Sequence, residues 1–235
     1  MKTNAKLIKP IRSFVIREGR MTKGQKRALE ELWHLYGLDV DNLRGASLDL
    51  ETCFNRVAPT TLEIGFGDGG ALFQMAKEFP ERNFIGVEVH RPGVGKVLLD
   101  IHDAGLSNIK VFCEDGNGVL ACGFADASLG GVNLFFPDPW HKKKHHKRRI
   151  LQPQFIELIA RKLVAGGCFH FASDWEPYAL EALELLDDAP GLVNQAGHGL
   201  FSPRPDIRPL TKFEKRGHRL GHGVWDIMMI KKPVN

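Results

Sequence analysis

The residues best placed to do chemistry lie together at residues 134–150, LFFPDPWHKKKHHKRRI. Leu134, Phe135 and Phe136 form an apolar run that predicts a buried strand. Pro137 and Pro139 end it, because proline cannot donate to a sheet ladder. Asp138 and Trp140 then stand at the tip of that strand. The nine residues from His141 to Arg149 follow without one acid and carry six Lys or Arg. Each part has an ordinary explanation: a Pro-Asp-Pro turn, an indole covering the core, a solvated cationic face. Their coincidence favours a site acting on a nucleic-acid base. The cations suit phosphate, and the carboxylate and indole suit something planar and polar.

Further acids fall at the ends of the other expected strands. Glu63 and the loop Gly65-Phe66-Gly67-Asp68-Gly69-Gly70 close the first. The glycines allow a tight turn and close approach of a ligand to the backbone at a helix N-terminus. The spacing of Gly65, Gly67 and Gly70 also satisfies the GxGxxG of nicotinamide-dependent dehydrogenases. Glu63, however, stands where a dehydrogenase strand stays apolar. An acid there can pair with the cationic amino-acid end of a ligand and would repel a pyrophosphate. Glu88 ends the second strand, where a carboxylate can accept both ribose hydroxyls in either cofactor class. Asp115 follows the third strand and is placed to accept from an adenine amino group. Asp138 follows the fourth, and Asp174 lies between Ser173 and Trp175 after the fifth. One such acid alone reads as a helix cap or a loop residue. Five in succession do not.

The elements that must position these acids alternate. Strands are expected at 61–64, 83–89, 109–113, 132–136 and 167–173. Helices are expected near 71–79, 94–104, 118–121, 153–163 and 177–186. That order predicts an α/β fold, a doubly wound, mostly parallel sheet that binds ligands at the carboxyl ends of its strands. Before it, residues 1–20 lack periodicity and are expected to be mobile. Thr22 and Gln25 form a capping-box pattern. Ala28, Leu29, Leu32, Trp33 and Tyr36 share one helical face that ends at Gly37. Residues 38–59 read as linker or irregular cover. The division is therefore a basic N-terminal extension, 1–59, and a main domain, 60–235. Within the latter, 188–210 reads as loop, 211–219 as a polar helix and 224–230 as a final strand.

The 235 residues suffice for one large domain with an appendage. No apolar run approaches the length of a membrane span, and residues 1–14 do not have the form of a secretory signal. Cys53, Cys113, Cys122 and Cys168 form no CxxC pair and read as reduced thiols of a cytoplasmic protein, with no metal site expected. The net charge of +4 conceals segregation. Residues 1–27, 141–149 and 204–219 together hold 21 of the 32 basic residues and 3 of the 28 acids, leaving 11 basic and 25 acidic elsewhere. Three cationic segments on an acidic body point to an anionic polymer as partner.

Glu63-Ile64-Gly65-Phe66-Gly67-Asp68-Gly69 resembles the first motif of class I S-adenosylmethionine-dependent methyltransferases. Four further blocks narrow the match: RSFVIREGRMTKGQ at 12–25, GVEVHRPGVG at 86–95, FFPDPWHKKKHHKRR at 135–149 and RPLTKFEKRGHRLGHGVWD at 208–226. They resemble the bacterial tRNA (guanine-N7)-methyltransferase family and span nearly the whole chain. The PDPWHK and TKFExRGxxLGH patterns are far more specific than the glycine loop. The resemblance implies a Rossmann-like class I methyltransferase fold and methyl transfer from S-adenosyl-L-methionine to N7 of the guanosine at position 46 of the tRNA variable loop. It implies that Glu63, Gly65, Gly67, Glu88, Asp115, Asn117 and Asp138 bind cofactor, with Asp138 also at the catalytic position. It implies that Lys142, Asp174, Thr211, Lys212, Phe213 and Glu214 meet the substrate. The chain departs from the family in the glycine content of Gly116-Asn117-Gly118 and in Gly130-Gly131 before the fourth strand.

Trp140 has two readings, stacking on the base or closing the pocket. At the level of function, a dehydrogenase leaves Glu63 and the basic run unexplained. A non-catalytic RNA-binding factor leaves the strand-end acids unexplained. A methyltransferase with another acceptor is separated from the N7 reading only by the family blocks.

Overall fold

The computed structural model describes residues 12–15, 19–43, 45–210, 214 and 223–233. Among them, eight strands form one sheet: β1 (Gly37–Leu38), β2 (Thr60–Ile64), β3 (Asn83–Val87), β4 (Ile109–Phe112), β5 (Leu129–Phe135), β6 (Leu163–Ser173), β7 (Leu192–Asn194) and β8 (Trp225–Lys231). Their spatial order is β1-β4-β3-β2-β5-β6-β8-β7. The strands from β1 to β6 pair in parallel, and β8 runs antiparallel to both β6 and β7. From β2 the chain winds outward to β3 and β4, then returns to lay β5 on the other side of β2. That reversal opens a crevice above the ends of β2 and β5, where such sheets bind ligands.

The central strands are apolar on both faces because helices cover both. Leu62, Ile64, Ile85, Val132, Phe169 and Phe171 pack on one side, beneath α7 (Pro153–Lys162) and α8 (Glu176–Asp187). Phe84, Ile109 and Val111 pack on the other, with α4 (Gly70–Glu78) and α5 (Arg91–Ala104). Strand alternation therefore turns Glu63 toward the α4 and α5 side. The expected mostly parallel α/β sheet is present, and no helix among the described residues is long and apolar enough to cross a membrane.

Several elements differ from expectation. The capping box forms, with Gln25 N donating to Thr22 Oγ1 at 3.2 Å and Thr22 N to Gln25 Oε1 at 2.8 Å. The apolar face it starts is broken at Leu32, into α1 (Lys23–Glu31) and α2 (Trp33–Tyr36). It still packs on the α5 side, and the segment read as linker supplies β1 and α3 (Leu50–Phe54). The short helix expected at 118–121 is the eight-residue α6 (Gly116–Gly123). Its glycines lower its propensity, but Asp115 caps it and Val119 and Leu120 are buried. The 188–210 loop contains β7, a short edge strand. The expected helix at 211–219 lies outside the described residues except for Glu214, as does most of the expected mobile stretch 1–20.

Candidate active site

The strand ends converge on a cavity of about 560 Å³, lined by Gly65, Gly67, Glu88, Asp115 and Asp138 together with apolar Ile64, Val87, Leu134 and Ile150. Gly65 and Gly67 take φ of +77° and +62°, a region open to glycine at little cost. A Cβ built on either meets nothing within 4 Å, so their missing side chains leave open space over the backbone. Beneath the loop, a Cβ on Gly93 would sit 1.9 Å from the Gly67 carbonyl oxygen, so the start of α5 is pressed directly against the turn.

Glu88 holds this loop in place. Its Oε2 accepts from Gly67 N at 2.8 Å, and its Oε1 from Val89 N at 2.7 Å and His90 N at 2.9 Å. Three backbone donors fix the carboxylate beside the cavity. Glu63, on β2, is 3 % exposed and does not line the cavity. Its Oε2 is buried without a hydrogen-bond partner among the described residues. Burial, and then the charge of Glu88, push its carboxyl up to about 8. Such an orphaned buried acceptor is costly unless a ligand or water supplies a donor. Asp115 does both things an acid there can do, since it lines the cavity and caps α6 through Asn117 N at 3.2 Å. Asn117 itself faces a smaller adjoining cavity of about 310 Å³, with Lys147, Arg148, Gln152 and Gln154.

After β5 the backbone is strained on both sides of Pro137-Asp138-Pro139. Phe136 has φ 50° and Trp140 φ 45°, conformations that cost a bulky residue on the order of 1–3 kcal/mol each. The surroundings over-determine the loop. Phe136 N donates to Ala172 O at 2.8 Å. Arg149 Nε donates to Pro139 O at 2.9 Å, while its guanidinium also pairs with Glu181 and lies 4.5 Å from the Tyr178 ring centre. Trp140 Nε1 donates to Ser13 O at 3.0 Å, and the Arg148 guanidinium covers the indole at 3.8 Å. Asp138 is left exposed at the cavity, with no hydrogen-bond partner for its carboxylate among the described residues.

Two arginines of the basic run therefore differ from the sequence reading. Arg149, expected among the phosphate-facing cations, is 3 % exposed and braces the Asp138 loop. Arg148 donates to the carbonyls of Arg12 and Phe14, so with Trp140 it draws residues 12–15 across the cavity, which Ser13, Phe14 and Val15 help to line. Trp140 thus has one face covered by Arg148 and its Nε1 committed to Ser13, a cavity-lining residue. Its pairing with Ser13, 127 positions away, has no local signal in the sequence.

Lys142 and Asp174 follow β5 and β6 at the same edge of the sheet, but neither lines the cavity. Lys142, Lys143, Lys144 and Lys147 are exposed. Glu214 is 1 % exposed, and its two oxygens receive the Arg208 guanidinium at 2.7 and 2.9 Å. Arg208, fully buried, also binds both oxygens of Asp226, which meets His170 at 2.6 Å. Burial lowers the His170 pKa, with Asp226 opposing. Glu214, which the resemblance implies meets the substrate, is taken up in this buried cluster; Arg208, Asp226 and His170 carried no such expectation. Thr211, Lys212 and Phe213 lie outside the described residues.

The glycine turn, Glu88 and Asp138 meet at one crevice of the sheet, and residues 57–227 match the family described as "Putative methyltransferase", which makes the chain a methyltransferase of the Rossmann-like class. The fold agrees with the crystal structure of the 16S rRNA methyltransferase KamB, at TM-score 0.55 and 16% identity over 80% of this chain and 95% of that one. The tRNA (guanine-N(7)-)-methyltransferase of Shewanella putrefaciens (strain CN-32) is 57% identical over 95% of this chain and 92% of its own length. That of Shewanella oneidensis is 58% identical over the same shares. The chain belongs to this tRNA (guanine-N7)-methyltransferase family.

Proposed function

We infer that this protein transfers a methyl group from S-adenosyl-L-methionine to N7 of a guanine in tRNA, at position 46 of the variable loop. The observation that carries the reading is the set of acids around one cavity whose size, about 560 Å³, suits a nucleoside-sized ligand. The residues fit the donor. Gly65 and Gly67 leave room over the backbone, Glu88 lines the cavity as an acceptor for ribose hydroxyls, and Glu63 Oε2, outside the lining and without a hydrogen-bond partner among the described residues, is left to accept from the cationic end of the ligand. The donor supplies a methyl on a sulfonium, whose carbon–sulfur electron pair stays with sulfur as N7 takes the carbon.

Guanine N7 carries an in-plane lone pair and no proton, so no general base is needed. The protein's work is to align N7, exclude water and answer the positive charge that grows on the purine. Asp138 suits the last task. Its loop is locked by Arg149, Trp140 and Ala172, and its carboxylate is uncommitted among the described residues. It accepts from the N1–H or amino edge of the base, and its charge favours the transition state over the ground state. Lys142 and Asp174 stand at the same strand ends to meet the nucleotide. The exposed lysines at 142–147 hold surrounding phosphates. Action on tRNA places the protein in the cytoplasm.

The test is incubation with labelled S-adenosyl-L-methionine and unmodified tRNA, followed by borohydride–aniline cleavage, which breaks the chain at N7-methylguanosine. Cleavage in the variable loop supports the reading. Label incorporated without such cleavage assigns a different acceptor.

A further inference from the structure

A base drawn out of folded RNA loses its stacking partners, and an enzyme that acts on it supplies a replacement surface. Trp140 is covered by Arg148, as described, and Trp33 is tied through Nε1 to Asp39 beside the N-terminal helices. Among the described residues a single Phe, Tyr or Trp side chain is exposed, that of Trp175, at 37 %.

Its place in the fold is specific. β5 and β6 are parallel neighbours with Phe135 opposite Ala172, so the Asp138 loop and Asp174-Trp175 leave the sheet side by side. His141, three residues beyond Asp138, packs on Trp175 with ring centroids 4.3 Å apart and planes at 81°. That contact joins the indole to the loop carrying the catalytic acid. The backbone of Trp175 is fixed as well, since its N–H donates to Ser173 Oγ at 3.2 Å and its carbonyl accepts from Tyr178 N and Ala179 N at the start of α8.

We propose that the indole of Trp175 is the surface on which the target guanine stacks, and that it sets how the base is turned toward the cavity and Asp138. The proposal rests on the guanine-N7 reading. It carries a chemical consequence. The product base is a cation, and the face of an indole attracts cations, so the contact strengthens as the methyl is transferred. Trp175 then contributes to turnover as well as to binding.

Trp175→Phe and Trp175→Leu are compared with wild type on unmodified tRNA, in single turnovers with saturating S-adenosyl-L-methionine. Wild type that forms no N7-methylguanosine removes the underlying reading, and the proposal with it. With wild type active, Trp175→Leu is expected to methylate about 10- to 100-fold more slowly, the scale of one lost base–aromatic stack. Its melting temperature and S-adenosylhomocysteine affinity stay at wild-type values, and Trp175→Phe keeps most of the rate. A leucine variant within twofold of wild type overturns the proposal, as do equal losses in both variants, which mark a packing role. A second readout covers a leucine variant that fails to fold. 7-Methylguanosine 5′-monophosphate, added to protein saturated with S-adenosylhomocysteine, quenches indole fluorescence in wild type and not in Trp175→Phe. Quenching of equal size in both, or in neither, overturns the assignment.

Discussion

Arg149→Met keeps a long apolar stem and removes the guanidinium from the most heavily braced point of the site. That guanidinium donates to Pro139 O at 2.9 Å, pairs with Glu181 and lies on the Tyr178 ring. A hydrogen bond to a charged group contributes about 1.5–3 kcal/mol, and a desolvated cation–π contact up to about 2. The Glu181 side chain is 34% exposed, so its orphaned carboxylate is rehydrated and the ion pair counts little. The expected loss is about 3 kcal/mol, which for a chain of this size lowers Tm by about 6–12 °C. Urea and thermal unfolding measure it. Freed of its tie at Pro139, the loop relaxes from the left-handed conformations at Phe136 and Trp140, and the single-turnover rate falls with stability. The salt dependence of tRNA binding stays as in wild type, because a 3 % exposed arginine does not reach phosphate. Replacing the exposed Lys143, Lys144 and Lys147 with Ala gives the opposite pattern: unchanged Tm and a log–log salt slope reduced by about 2 or more. An Arg149→Met protein with wild-type Tm and a reduced salt slope would refute the bracing argument and return Arg149 to the RNA-facing cations.

Asp138→Asn keeps shape and loses charge; single-turnover methylation is expected to fall about 100-fold or more, with a smaller change in cofactor affinity. A near-wild-type rate in the folded variant removes Asp138 from the chemistry. Glu88→Ala removes the acceptor for three backbone donors and for the ribose, so calorimetry with S-adenosylhomocysteine is expected to show binding weaker by about 1.5–3 kcal/mol or more. Unchanged affinity would displace Glu88 from the site. Glu63 titrates near 8 when folded and at 4.5 otherwise, so between those values the folded protein keeps a proton that the unfolded chain has lost. Its stabilising contribution is complete below about 4.5 and is lost as pH rises toward about 8, with a slope of up to about 1.4 kcal/mol per pH unit. Urea unfolding of the cofactor-free protein from pH 5 to 8 should show that slope in wild type and lose it in Glu63→Gln; identical slopes would mean that Glu63 is not held protonated.

The order of the strands across the sheet came from the structure, but the sequence by itself determined the mostly parallel sheet, the positions of its central strands along the chain and the acids at their ends. These are local signals: apolar runs bounded by Gly and Pro, a capping box at Thr22, prolines after Phe136, an acid at Glu63 where a buried strand should be apolar. The blocks around PDPWHK and TKFE carried the family and its chemistry. The tertiary structure decided how each charged residue is spent. Arg149 and Lys143 look alike in a basic run, yet one is buried against Glu181 and Tyr178 and the other is exposed, because the 3-10 turn at Lys143–Arg148 ends by pointing the chain into the core. Glu214 is paired with Arg208, six residues back, and Arg208 also binds Asp226 of β8, which meets His170 of β6. Trp140 is tied to a carbonyl at Ser13, and Trp175 is left exposed after β6. Sequence periodicity reports which face of an element is buried. Which partner meets a polar or aromatic side chain there depends on contacts between segments far apart in the chain, and those exist only once the sheet has brought them together.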